Sequence, residues 1–312
     1  QKGWPRNREQ VQSFLAEHDW LPDYALYRAL KDSFDQRPWV EWPAALRQRE
    51  AGELARARRE LRKDIDFHIY TQYLFFRQWH ALRACCHRLG IRLFGDMPIY
   101  VPLDSADAWA NQELFHLDDS GLPLRVAGVP PDCFSCTGQL WVSPLYQYDR
   151  MAQDGFAWWR GRIRAAAGML DALRIDHFRG FASYWSVEAG EATAEHGIWA
   201  PGAGEPLIDA LREAAGQLTL VAEDLGLPAP DVDRLLAYSG FPGMRVLQFA
   251  FDDKNSPHLP RNHVGNAVCY TGTHDNDTLV GWAQSAPEKV RRRAMRQLRV
   301  TSPDELPAAM LR

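Results

Sequence analysis

A parallel α/β fold is what this 312-residue sequence predicts, and three observations predict it. Stretches with helical apolar periodicity alternate with short apolar runs, the alternation repeats along the chain, and several of the runs close on an acidic residue.

The elements follow in order. Residues 1–65 are rich in charge and Trp/Pro punctuation, with helical stretches at 8–18 and 46–62, and read as a small helical subdomain. From 66 to 90 the apolar positions Phe67, Tyr70, Leu74, Trp79, Leu82, Cys86 and Leu89 mark an amphipathic helix, and Gly90 stops it. Ile91-Arg92-Leu93-Phe94 then reads as a strand closing on Gly95-Asp96. A second helix over 156–170, with Trp159, Ile163, Ala167 and Leu170 on one face, precedes the strand Ala172-Leu173-Arg174-Ile175, which runs into Asp176. A third over 207–215 precedes a strand over 218–222 that runs into Glu223. After a short helix over 231–238, strands are expected over 245–251 and over 267–271, the latter just before His274-Asp275.

Composition narrows the class. With 46% hydrophobic and 24% charged residues, 36 Lys+Arg against 40 Asp+Glu and a formal charge of -4, the chain is an ordinary globular protein with no general attraction to nucleic acid. No apolar run approaches the roughly 20 residues needed to cross a bilayer, and residues 1–5 lack an apolar signal core, so a cytoplasmic protein with no membrane partner is expected. The five cysteines include one C-x-x-C, Cys133/Cys136, with no second pair at zinc-binding spacing. All five are read as reduced thiols, a redox or metal pair being the alternative. The 12 tryptophans leave two uses open: Trp20, Trp39 and Trp42 anchoring loops onto a core, or indole faces stacking on sugar rings.

The acids carry the functional reading. Asp96, Asp176, Glu223 and Asp275 each fall just past an expected strand, where parallel α/β barrels build active sites. Any one of them alone is better read as a helix cap. Four together, with Arg174 two residues before Asp176 and His274 beside Asp275, favour catalysis. Glycoside chemistry needs one carboxylate to attack the anomeric carbon and one carboxylic acid to protonate the departing oxygen. Arg174, on the same face as Asp176 by strand alternation, can hold that nucleophile ionised. Glu223 can serve as the acid if burial or a neighbouring carboxylate, Asp275 being the one expected, keeps its proton on near neutral pH. His274 is either a donor to sugar hydroxyls or a packing histidine.

Three segments carry a family resemblance: Arg174-Ile175-Asp176-His177-Phe178-Arg179-Gly180, Ala222-Glu223-Asp224-Leu225-Gly226 and Thr271-Gly272-Thr273-His274-Asp275-Asn276-Asp277-Thr278. They resemble the signature segments of the 4-alpha-glucanotransferases (amylomaltases or disproportionating enzymes) of the α-amylase clan. Gly95-Asp96-Met97-Pro98-Ile99-Tyr100-Val101, Gly128-Val129-Pro130-Pro131-Asp132 and Gly240-Phe241-Pro242-Gly243-Met244 are similar too. The resemblance implies a (β/α)8 TIM-type barrel with helical insertions and a retaining transfer of α-1,4-glucan segments between maltooligosaccharides, without metal or cofactor. It implies Asp176 as nucleophile, Glu223 as general acid/base and Asp275 as transition-state stabiliser, with Arg174 and His274 in support and Asp96 structural. Asp132, Phe134, Gln139 and Trp141 fall in a segment resembling the family's loop over the acceptor side of the cleft. In that loop Cys133 and Val142-Ser143 depart from the family pattern.

On this resemblance the chain divides into a helical insertion (1–65), a barrel part (66–99), an insertion with the acceptor-side loop (100–155) and a continuing barrel part (156–312). About five of eight barrel strands are expected, so the sequence reads as an internal piece of a longer enzyme with an incomplete barrel. Three rivals remain at this stage: an α-glucan hydrolase using the same acids, a non-catalytic glucan-binding module, and a Mg²⁺ site on a phosphate-handling barrel. The last lacks a Gly-rich phosphate loop.

Overall fold

The computed structural model describes residues 7–132, 135–226 and 229–312. The chain forms two compact units: unit 1 runs up to Leu173 and resumes over Arg179–Thr219, and unit 2 comprises Arg174–Phe178 and Leu220–Arg312.

Unit 1 opens with helices α1 (Arg8–Glu17), α2 (Leu21–Ser33), α3 (Ala44–Arg47), α4 (Ala51–Glu60) and α5 (Arg62–Arg88). The single helix expected over 46–62 is broken, because Arg49 takes a left-handed φ of 57° between α3 and α4. These helices close on a core of Leu26, Leu30, Trp39, Trp42 and Trp109. Trp39 and Trp42 are therefore core residues, whereas Trp20 is 40% exposed. One buried cation is matched inside this core. Lys31 Nζ donates to Asp104 Oδ2 at 2.6 Å and to the carbonyls of Gln36 and Arg37, while Tyr27 Oη donates to the other Asp104 oxygen at 2.8 Å. Burial and the Asp104 charge both push the Tyr27 phenol far above its ordinary range, so it stays a donor.

The end of α5 explains where the next strand starts. Gly90, at φ 72°, donates its N–H to His87 O, and Ile91 donates to Cys86 O, a left-handed C-cap that uses up Ile91. Strand β1 is consequently Phe94–Met97, three residues later than expected, and Asp96 sits inside it rather than past its end. Helix α6 (Ala106–Ala110), strands β2 (Arg125–Val129) and β3 (Gln139–Pro144), helices α7 (Tyr148–Ala152) and α8 (Ala157–Met169) and strand β4 (Ala172–Ile175) follow. Asp171, at the foot of β4, accepts from Arg83, His87 and the Leu93 N–H; the Leu93 and Arg83 bonds in particular hold its carboxyl far below the usual carboxylate range. Strands β5 (Ser183–Glu188) and β6 (Gly197–Pro201), helix α9 (Glu205–Ala215) and strand β7 (Thr219–Ala222) complete the unit, β4 and β7 running on into unit 2.

One sheet has the order β1–β4–β7, and a second, antiparallel sheet has the order β3–β2–β5–β6. The antiparallel sheet was not expected from the sequence. It pairs Val126 with Val187 and Trp185 with Trp199, and covers Val126, Val187 and Ala194.

Unit 2 carries the ends of β4 and β7, helix α10 (Pro230–Ser239), strands β8 (Gly243–Val246) and β9 (Ala267–Tyr270), and helices α11 (Leu279–Ser285), α12 (Glu288–Leu298) and α13 (Leu306–Met310). Strands β8 and β9 are parallel, with Gly243 opposite Ala267 and Val246 opposite Tyr270. The strand expected over 245–251 begins two residues earlier and gives way to a 3-10 turn at Leu247–Phe249. Val221, Met244 and Val246 form the core under the strands, and Phe251, Ala283, Ala294 and Leu306 form that of the helices. The α/β expectation is thus met, with β1, β4, β7, β8 and β9 close to the five expected strands, and among the described residues no sheet closes into a barrel.

Candidate active site

The functional cluster is built where β4 and β7 end, within unit 2. Strand alternation puts Arg174 and Asp176 on one face. Arg174 Nη2 pairs with Asp176 Oδ1 at 3.2 Å; the guanidinium side chain is 7% exposed, the carboxylate 40%. The cation is therefore fixed in the wall while the carboxylate remains open to an incoming group.

Glu223 stands beside them. Its N–H donates to Ile175 O and its carbonyl accepts from Phe178, so the pairing of β4 with β7 continues past both strand ends. His177 takes a left-handed φ of 52°, a conformation costing about 1–3 kcal/mol for a non-glycine residue. That turn aims its N–H at Glu223 Oε2, 2.9 Å away, and Leu225 N–H donates to Oε1 at 2.7 Å. Two backbone donors and Arg174 favour the ionised form. Burial, the largest influence, and the nearby Asp176 charge oppose them and prevail, pushing the Glu223 pKa up from 4.5 to about 7. The carboxylate that acts on Glu223 is thus Asp176, where the sequence reading had given that part to Asp275.

Asp275 lies five residues past β9, paired with His274 Nε2 at 3.4 Å; both side chains are exposed, at 69% and 68%. Thr273 and Asn276 shape this segment, Asn276 Oδ1 accepting from the Thr273 N–H at 2.9 Å. The structure brings Arg174, Asp176 and Glu223 into one cluster, and pairs the exposed Asp275 and His274 with each other.

The remaining expected site residues belong to unit 1. Asp96 is exposed on β1. Asp132 is half-buried and its carboxylate accepts the Ser135 N–H at 2.9 Å. Gln139 opens β3 and its Oε1 accepts from Trp141 Nε1 at 3.2 Å; the half-buried Trp141 ring lies 6.0 Å from that of Tyr100. Phe134 and Cys133 lie outside the described residues. Among the described residues no group of three or more His, Cys, Asp or Glu is placed to hold a metal ion, and no helix is long and apolar enough to cross a membrane.

Sequence reasoning quoted His177 and Leu225 only as parts of motifs. Their contribution is a backbone N–H, which residue type does not announce; the nearest signal is their position one or two residues from an acid at a strand end.

This chain belongs to the 4-alpha-glucanotransferase family, whose model matches residues 2–312. It is 49% identical to the 4-alpha-glucanotransferase of Thermus thermophilus over 290 residues, covering 92% of this chain and 58% of that protein. It is 44% identical to the chloroplastic/amyloplastic 4-alpha-glucanotransferase of Solanum tuberosum, covering 97% of this chain and 54% of the relative. Among solved structures, the amylomaltase from Streptococcus agalactiae in complex with acarbose superposes with a TM-score of 0.93 at 39% identity, covering 98% of this chain and 62% of that one. The chain thus spans a little over half the length of these relatives, and its fold is the α/β barrel type of the amylomaltases with the barrel incomplete.

Proposed function

We propose that this chain carries the catalytic centre of a 4-alpha-glucanotransferase, which moves α-1,4-glucan segments between maltooligosaccharides by retaining double displacement. The observation that carries the reading is the unequal treatment of two neighbouring carboxyls: Glu223 is tuned to hold a proton near neutral pH, and Asp176 is open and paired with Arg174. A buried carboxyl that keeps its proton, beside an open one paired with an arginine, is what an acid and a nucleophile need.

In the first half-reaction Asp176 attacks the anomeric carbon and Glu223 gives its proton to the departing glycosidic oxygen, leaving a glycosyl-enzyme ester. In the second, Glu223 as carboxylate takes the proton of an acceptor hydroxyl, which attacks the anomeric carbon from the face the first leaving group vacated, opposite the ester; the bond to Asp176 breaks, Asp176 departs as carboxylate and the α-configuration is restored. Asp275 would contact sugar hydroxyls more strongly in the oxocarbenium-like transition state, and His274 would donate beside it. Asp132, Phe134, Gln139 and Trp141 would line the acceptor side, where shielding the ester from water decides between transfer and hydrolysis. Asp96 would have a structural part.

Maltotriose incubated with the intact protein should give free glucose and a ladder of longer oligosaccharides; glucose and maltose alone would make it a hydrolase. A donor with fluoride as leaving group needs little proton assistance, so with maltotriosyl fluoride Glu223→Gln should accumulate a covalent glycosyl-enzyme visible by mass spectrometry. Asp176→Asn should form none, and should lose at least about 10³-fold in kcat. Adduct formation in Asp176→Asn would remove that residue as the nucleophile.

A further inference from the structure

The residue after the proposed acid faces the other way. Asp224 turns to β8, where its Oδ1 accepts the Met244 N–H at 2.6 Å and its Oδ2 pairs with Arg245 Nη1 at 3.2 Å. Both members of this pair are largely buried, with 11% of the Asp224 side chain and 15% of the Arg245 side chain exposed. The approach is close enough that a Cβ on Gly243 would stand 2.5 Å from Asp224 Oδ2, so any side chain there would have to push the carboxylate aside. Just before it, Ala222 N–H donates to Pro242 O at 2.9 Å. Residues 222–224 are therefore fastened to the start of β8 by a backbone bond and a charged clip. On its other side the same stretch presents the Glu223 carboxyl and, one residue on, the Leu225 N–H that binds it.

We infer that Asp224 is a positioning residue for proton transfer: its clip onto Met244 and Arg245 holds the 223–225 backbone so that the Leu225 N–H stays on Glu223 Oε1 and the carboxyl keeps its direction. The inference rests on the reading of Glu223 as the acid. An uncompensated Arg245 in the same buried place would draw the chain toward other acceptors, and the segment bearing the acid would move with it. A displacement well under the length of a bond is enough to spoil proton transfer to a fixed oxygen.

The test is Asp224→Asn in the intact protein, which keeps the acceptor for the Met244 N–H and removes the charge facing Arg245. Glu223 faces the charges of Asp176 and Arg174 from the end of β4, and this substitution leaves both in place. Transfer kcat is expected to fall by about 10- to 100-fold with oligosaccharide affinity unchanged. The Leu225 bond favours the ionised carboxyl, so loosening it should also move the alkaline limb of kcat/KM upward, by about one pH unit. Arg245→Lys, a milder change, should give the same two effects at smaller size, and carries the test if Asp224→Asn does not fold. A lowered melting temperature with wild-type kcat and a wild-type pH limb would mean an ion pair that only stabilises, and would overturn the inference. Glu223→Gln serves as the control: if it keeps wild-type kcat, the acid reading fails and the positioning role fails with it.

Discussion

At the scale of the residue, Glu223 is a carboxyl on which opposing influences meet and burial prevails. Two backbone N–H groups and the Arg174 guanidinium favour its charge, burial and Asp176 oppose it, and the outcome is a pKa near 7. An acid active in its protonated form works below that value and fails above it, so kcat/KM for transfer should fall on the alkaline side through about pH 7. Arg174 is one of the groups lowering this pKa. Arg174→Gln should therefore move the limb to higher pH while reducing kcat, because Asp176 loses its ion-pair partner; a limb moving to lower pH would contradict the charge balance described here. Arg174 and Asp176 were legible together in the sequence through strand alternation, and Glu223 through its place just past the end of another strand. The left-handed turn at His177 was not, since it is dictated by where the chain must go after β4 rather than by any preference of histidine.

At the scale of the element, local pattern located the strands and misjudged their edges for nameable reasons. The apolar run Ile91-Arg92-Leu93-Phe94 looked like β1, but Ile91 is spent on capping α5, and Phe94 remains 47% exposed at the start of the strand that does form. The β3–β2–β5–β6 sheet escaped notice because its strands of five or six residues are paired across the intervening helix α8 and strand β4, a long-range pairing that periodicity within one segment does not reveal. This sheet bears the loop residues Gln139 and Trp141, and the indole is tied back by its bond to Gln139 while its ring lies near Tyr100. An anchored, half-exposed aromatic on a short strand is suited to hold an acceptor sugar and keep water off an ester. Trp141→Ala should raise the ratio of hydrolysis to transfer, measured as glucose release against chain-lengthened product. An unchanged ratio in a folded variant would reduce Trp141 to a packing residue.

At the scale of the whole molecule, the fold class was readable from sequence, whereas the partition into two units was not. The chain leaves unit 1 at Arg174, returns at Arg179 and leaves again at Leu220, so the boundary falls inside β4 and β7, where the apolar pattern is unbroken. Each unit has its own buried clusters, Trp39 and Trp109 in unit 1 and Phe251, Ala283 and Leu306 in unit 2. Separate cores predict separate local stabilities. Leu306 is fully buried among Ala250, Phe251 and Ala283, so Leu306→Ala should cost about 2–5 kcal/mol through the cavity it leaves. Hydrogen exchange followed by mass spectrometry should then speed up over β8, β9 and α11–α13 while the amides of α2 and α5 keep their wild-type protection. Equal loss of protection in both sets would show that the two units unfold as one block, and that the strands they share transmit the damage.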